Sequence, residues 1–458
     1  MIETDSGVGS NYSWETLSSK HRHWLAGLLI LALVLRLGWV LLMDPEPKLR
    51  GGDGPFYLHL GDQLAKGMGL RYGEPVAVVG PIYPAYLAVV QILLGTDRVV
   101  TVARIGQAVL GVLLVALLFV LGMRWRGPRC GLLAAGLAAV DLRFIVECGS
   151  ISTEILFTVL LLFSLWLYLI ALERDRPHWW ILSGAAIGVA ALTRGVIQLL
   201  PLALLVQLCV HGKCRRLWSA WTLLLAGFIL AVSPWMIRNW RLFGSPKIAH
   251  GGEAHFWMGA KGDGRALRKD EMLSEIWDIR ERDGGADRYS YLSDAFGIIA
   301  SDPLGFVLLR ARRVVEAYLQ PFGTVTMGVV LGDESIKAML VRGSGHSLRE
   351  VVTLPAFWPK LWIYVLHFGS IGMSVWYVLW RWRKWRELSL FVIVLLYFSG
   401  VYAFLTIIPR YLFPIMPLFI LLSVGVLVDF RWSELESRSN GMVRKTDGTA
   451  MSQGGSSA

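Results

Sequence analysis

WWILSGAAIGVAALTRGVIQLLPLALLVQLCVH, residues 179 to 211, reads either as one overlong apolar helix or as two short ones meeting at Thr193-Arg194-Gly195. The choice decides the topology of everything on either side. The surrounding chain is equally apolar: of its 458 residues 55% are hydrophobic and 12% aromatic, with a mean hydropathy of +0.52. Such a composition, gathered into long runs, is that of a polytopic membrane protein and not of a soluble domain. Apolar runs of about 15 to 25 residues number about ten. Their cores fall near 24–43, 98–122, 130–147, 152–172, 179–192, 195–211, 217–236, 356–380, 388–406 and 409–430.

Charge settles the reading of 179–211. The strong basic clusters are RWRGPR at 124–129, KCRR at 213–216 and RWRKWR at 381–386. A single span would put the last two opposite the first, against the bias of basic residues to the inner face; two spans keep all three inside, together with both termini. Arg194 then sits at the outer tip of a helical hairpin. The formal charge of +11 lies in these short clusters between spans, and no nucleic-acid motif accompanies it.

Two outer segments are substantial. The longer, about 237–355, holds helix-like stretches at Arg265–Arg282 and Pro303–Leu319, and a small helical cap is expected there. Residues 1–23 form a polar inner segment, and the span after them lacks an A-x-A cleavage pattern, as in a retained signal anchor. The remaining divisions are a membrane region at 24–236, C-terminal spans within 356–430, and a polar inner tail at 431–458 whose Ser/Gly-rich end reads as disordered. The cysteines Cys130, Cys148, Cys209 and Cys214 suggest neither a disulfide framework nor a zinc set.

The shorter outer segment, about 44–97, gathers chemistry within a few residues of the membrane edge. In LRGGDGPFYLHLGDQLAKGMGLRYGEPVAVVGPIYPAYLAVVQILL, residues 49 to 94, Asp53 suits a helix N-cap and Pro55 the first turn. Phe56, Leu60 and Leu64 recur every fourth residue, as on a helix lying along the bilayer surface. Tyr57, Tyr83 and Tyr86 could face headgroups or a sugar. A simple capping aspartate with an interfacial aromatic belt is the competing explanation.

Other candidates collect at the same face. Glu154 opens the fourth span, Arg238 ends the seventh, and Arg410 with Tyr411 opens the last. Each alone reads as an interfacial anchor or a structural ion pair; together they set carboxylates and guanidinium groups around one outer mouth. That set suits transfer of a sugar from a polyprenyl phosphate to an acceptor hydroxyl. A positioned carboxylate serves as general base, and guanidinium groups match the oxygens of a departing phosphate. Because the leaving group is a monophosphate, such a site can work without a divalent metal, and no cofactor is called for.

The pattern resembles the GT-C membrane glycosyltransferases, within them the group of protein O-mannosyltransferases and the lipid A aminoarabinose transferase. Asp53-x-x-x-Tyr57 resembles the first-loop acidic motif, Pro81-Ile82-Tyr83-Pro84 the proline- and tyrosine-containing loop helix, and Thr153-Glu154 the second acidic site. Leu192-Thr193-Arg194, Pro234 to Asn239 with Phe243-Gly244, and Arg410-Tyr411 followed by Pro414 and Pro417 resemble later blocks of bacterial relatives.

The resemblance implies an all-α GT-C bundle with interfacial helices in its first outer loop and an inverting transfer. Asp53 is the expected base, with Glu154 as its acidic partner, and Tyr57, Tyr83, Tyr86 and Tyr411 are expected to contact substrate. It further implies a multi-pass inner-membrane protein of a bacterium, with a periplasmic site, cytoplasmic termini, a lipid-linked donor and a glycan, lipid or protein acceptor. Some relatives hold the donor phosphate with a basic residue just before the loop proline. Here that position is Gly80, and the duty passes to Arg194, Arg238, Arg410 or Arg71. A lipid-linked glycan ligase is the nearest alternative enzyme. A transporter or flippase is the alternative from another class, although such proteins usually place charges at mid-membrane on broken helices.

Overall fold

The structure is a computed structural model that describes residues 17–44, 53–212, 217–249, 251–261, 288–332 and 348–430. The helix-like stretch expected at Arg265–Arg282, the tail from 431, the KCRR cluster and Cys214 lie outside the described residues.

Among the described residues, seven helices are long and apolar enough to cross a membrane: Ser19–Met43, Thr96–Arg126, Glu154–Arg174, Leu217–Phe243, Phe357–Trp380, Trp382–Phe404 and Pro409–Phe430. They match seven of the ten expected spans. The other three appear as shorter helices. In chain order α1 is Ser19–Gly38, α2 Gly54–Ala65, α3 Ile82–Leu94, α4 Val99–Arg126, α5 Pro128–Val140 and α6 Leu142–Glu147. Then follow α7 (Glu154–Arg174), α8 (Pro177–Ala191), α9 (Leu200–His211), α10 (Leu217–Phe243) and α11 (Gly252–Lys261). Thus 130–147 is split into α5 and α6 at Asp141, and 179–211 into α8 and α9.

The punctuation follows from local chemistry. Gly127 and Gly212, at φ 88° and 78°, end α4 and α9 in a conformation that a side chain resists. Pro128, Pro177 and Pro201 each sit in a first helical turn, where their missing N–H costs nothing. The break between α8 and α9 at 192–199 is the hairpin tip inferred from charge. Its consequence is visible at the opposite end of the bundle. There Arg126 lies 2.6 Å from Glu387, Arg381 lies 3.0 Å from Asp429, and Arg124 pairs with Glu173. The 124–129 and 381–386 clusters therefore share one end, which a single span through 179–211 would forbid.

Between α1 and α4 lie α2 and α3, joined through a two-residue antiparallel hairpin in which Arg71 pairs with Pro75 and Tyr72 with Glu74. Gly61 lets α2 approach α3 closely, since a Cβ there would stand 2.8 Å from Leu87 Cβ. Beyond α10 the described cap consists of α11, the helices Arg288–Ser301 and Pro303–Leu319, and the short Thr324–Val330 and Leu348–Val352. The first two cap helices after α11 meet at a bend of 105°. Helix Pro303–Leu319 has the bounds expected from sequence. Many large apolar side chains, such as Leu42, Ile30 and Leu230, face outward, as lipid-facing residues do.

Small residues set the tightest helix contact. A Cβ at Gly184 of α8 would stand 1.8 Å from the Leu224 carbonyl oxygen of α10, and one at Gly227 of α10 would stand 2.1 Å from that of Ile181. Close backbone approach at glycines is how helices gain dispersion contact where lipid removes the hydrophobic drive. Gly184→Leu should force α8 from α10 and cost about 1–3 kcal/mol, the usual penalty of overpacking. Thermal unfolding in detergent measures it, and an unchanged melting temperature would refute the close contact.

Candidate active site

Asp53 occupies the N-cap position of α2, yet its side chain makes no capping hydrogen bond. Only its backbone serves α2, the carbonyl accepting from Tyr57 N at 2.9 Å. The carboxylate instead accepts from Arg410, whose Nη2 lies 2.7 Å from Asp53 Oδ2. The capping explanation of this aspartate therefore fails on geometry.

Arg410 also reaches Glu154. Its Nε stands 2.9 Å from Glu154 Oε1, an ion-pair distance, although the N–H is not directed at that oxygen. The same oxygen accepts from Arg194 Nη1 at 2.8 Å. Glu154 is 1% exposed, whereas Asp53 is 53% exposed. One carboxylate is thus enclosed by two guanidinium groups, and the other stands open. The Arg194 guanidinium lies over the rings of Phe157 and Tyr411, at 5.7 and 5.3 Å, which holds its plane against the wall.

These groups border a cavity of about 1260 Å³. Asp53, Tyr57, Arg194, Arg410 and Tyr411 line it, beside an apolar flank that includes Leu199, Phe228, Val232 and Met236. Glu154 is not among the lining residues; it sits behind the arginines it pairs with. Among the described residues no three His, Cys, Asp or Glu side chains come together as metal ligands. Cys130, Cys148 and Cys209 are free thiols.

Besides Glu154, four residues singled out from the sequence do not line the cavity. Tyr83 is fully buried and donates to Gln107 Oε1 at 3.0 Å, and Tyr86 donates to the Ala103 carbonyl, so both hydroxyls fasten α3 to α4. Arg238 donates to the carbonyls of Val76 and Leu70, at 3.0 and 3.2 Å, and lies 4.5 Å over the Trp235 ring. It ties the first loop to the end of α10. Arg71 stands on the small hairpin, outside the cavity lining.

Gly80 is a position where only a glycine fits. A Cβ there would stand 1.9 Å from the Leu192 carbonyl oxygen, which also accepts from Ile82 N at 3.3 Å. No side chain fits between the loop and the hairpin tip. Two residues passed over in the sequence also emerge here. His255 of α11 lines the cavity, and buried Glu147 accepts from Ser152. A lone histidine in a cap segment and a glutamate inside an apolar run carry no signal of either placement.

Residues 79–237 match a family model described as dolichyl-phosphate-mannose-protein mannosyltransferase, a stretch short of half the chain. A comparison with curated protein sequences gives no significant match. Among solved structures, the apo oligosaccharyltransferase of Archaeoglobus fulgidus overlaps with a TM-score of 0.52 at 16% identity, over 93% of this chain and 53% of that one. The same organism's oligosaccharyltransferase AglB, in complex with an inhibitory peptide and a dolichol-phosphate, gives 0.50 at 15% identity, over 92% and 52%. ArnT from Cupriavidus metallidurans bound to undecaprenyl phosphate overlaps less, at 0.42 and 17% identity over 88% and 78%.

The chain spans about half the length of the archaeal structures it matches. At these identities the likeness is one of fold, and it bears out the all-α membrane bundle read from the sequence.

Removing one partner of a buried ion pair strands the other charge, at a typical cost of about 3–5 kcal/mol. Glu154→Ala should therefore lower thermal stability sharply, whereas Asp53→Ala, at an exposed pair, should cost about 1 kcal/mol or less. Equal melting temperatures for the two variants would contradict the asymmetry.

Proposed function

We propose that the chain is a membrane glycosyltransferase that moves a sugar from a polyprenyl-phosphate donor to an acceptor hydroxyl at the outer face of a bacterial inner membrane. The observation that carries this reading is a single cavity whose wall joins an open carboxylate and two guanidinium groups to an apolar flank. A lipid-linked sugar phosphate has the matching parts: an apolar tail, an anion and a hydroxylated ring.

In the reaction Asp53 takes the proton of the acceptor hydroxyl, whose oxygen forms the new bond to the anomeric carbon as the bond from that carbon to the phosphate oxygen breaks. One base and direct displacement invert the anomeric centre. The bonding pair leaves with the phosphate, where Arg410 and Arg194 compensate its charge, as bidentate guanidinium donors do well beside lipid. In the resting site Arg410 is paired with Asp53. The incoming phosphate competes for that guanidinium and frees the base. Glu154, behind both arginines, acts by holding them in place. A transporter usually places such charges near mid-membrane on broken helices, whereas Glu154 and Arg410 stand at the starts of theirs.

The test is a transfer assay on the full chain in detergent, with a panel of polyprenyl-phosphate sugars labelled in the sugar. Wild type should release polyprenyl phosphate from one donor. Asp53→Asn should lose at least about a hundredfold in rate, the usual worth of a positioned base, with its fold intact. Wild-type turnover in Asp53→Asn would overturn the assignment of the base. Movement of intact donor across a liposome bilayer without consumption would favour a transporter.

A further inference from the structure

The roles above leave His255 without work, although it stands on α11 and lines the same cavity as Asp53, Arg194 and Arg410. Its Nδ1 lies 2.8 Å from Thr406 Oγ1, and that hydroxyl lies 3.3 Å from the His255 carbonyl oxygen. A hydroxyl has one proton to give, and a carbonyl can only accept. In the arrangement that uses both contacts, the Thr406 proton goes to the carbonyl and Nδ1–H donates to Thr406 Oγ1. A neutral imidazole protonated at Nδ1 carries its lone pair on Nε2.

The neutral form is favoured here. Burial lowers the His255 pKa from its ordinary value, and Arg194, from the tip between α8 and α9, lowers it further. Asp53, at the start of α2, opposes this, and the Tyr411 ring of the last span meets the imidazole edge-on at 6.5 Å. The arginines of the cavity can only donate, and Asp53 is paired with one of them. A polyhydroxyl ligand has protons to donate as well as oxygens to accept.

We propose that His255 is a substrate-binding residue whose Nε2 accepts a hydrogen bond from a sugar hydroxyl in the cavity, belonging either to the transferred sugar or to the acceptor. The assignment rests on the glycosyl-transfer reading. In that arrangement the pairing with Thr406 leaves the Nε2 lone pair ready for a hydroxyl before substrate arrives.

Two variants separate substrate binding from a purely structural tether. In His255→Asn the short amide can still donate to Thr406 but does not reach the Nε2 position; in His255→Gln the longer amide reaches it with an oxygen. On the donor that wild type consumes, His255→Asn should lose about tenfold in kcat/KM, the worth of one hydrogen bond, at an unchanged melting temperature. His255→Gln should stay within a few-fold of wild type. The substrate whose KM rises identifies which hydroxyl is bound. Wild-type kinetics in His255→Asn, or the reverse order of the two variants, overturns the proposal.

A second readout needs no turnover. Diethyl pyrocarbonate acylates an accessible neutral imidazole nitrogen, and mass spectrometry locates the label on the full-length protein. His255 should be labelled. The polyprenyl-phosphate sugar should suppress that label if the hydroxyl is the donor's, while polyprenyl phosphate alone should not. An unlabelled His255 beside a labelled His23 overturns the proposal, since no ring nitrogen would then be open to the cavity. A labelled His255 in a wild type that consumes no donor removes the glycosyl-transfer reading instead, and the sugar with it.

Discussion

Glu154 is a carboxylate with 1% of its side chain exposed, at the first residue of a helix that otherwise runs through apolar surroundings. A charge so enclosed persists only if other charges meet it, because desolvation costs several kcal/mol per ion. Arg194 comes to it from the break between α8 and α9, and Arg410 from the start of the last span. Arg410 then continues to Asp53. Four distant stretches of chain are thereby held to one point, and the cavity forms beside it. The break at 192–199 has the same origin: a continuous helix through Arg194 would carry its charge into lipid, whereas a turn delivers it to Glu154.

The topology was legible because charge and hydropathy are summed over many residues. The clusters at 124–129 and 381–386 decide the hairpin at 179–211, and the shared ion pairs of Arg126 and Arg381 with Glu387 and Asp429 agree with that decision. The convergence of Asp53, Glu154, Arg194 and Arg410 followed, since each was placed at the same end of its span. Side-chain direction was not legible. Tyr83 and Tyr86 fasten helices, and Arg238 fastens a loop, because a residue at the right depth can turn toward the protein as easily as toward a cavity. His255 escaped notice for the same reason, as its partner Thr406 is 151 residues away.

The site also shows how a glycine sets a close contact between distant segments. At Gly80 the loop backbone presses on the Leu192 carbonyl, leaving no room for a side chain. That contact brings the loop and the hairpin tip together, and the tip carries Arg194. Arg310 does comparable work in the cap, donating to the carbonyls of Ala403 and Tyr402 at the end of the helix before Thr406, at 2.7 and 3.2 Å. It therefore steadies the segment that leads to both Thr406 and Arg410.

The central claim is that the guanidinium groups gathered by Glu154 form the seat of a lipid-linked phosphate. It is tested most directly by the affinity of undecaprenyl phosphate for the full-length protein in detergent, read by phosphorus NMR or calorimetry, with Arg194→Ala and Arg410→Ala beside wild type. Charge-assisted hydrogen bonds contribute about 1.5–3 kcal/mol each, so either substitution should weaken binding about tenfold or more while the protein stays folded. Unchanged affinity in both folded variants would contradict the account, because the ion-paired arginines would then serve the fold alone.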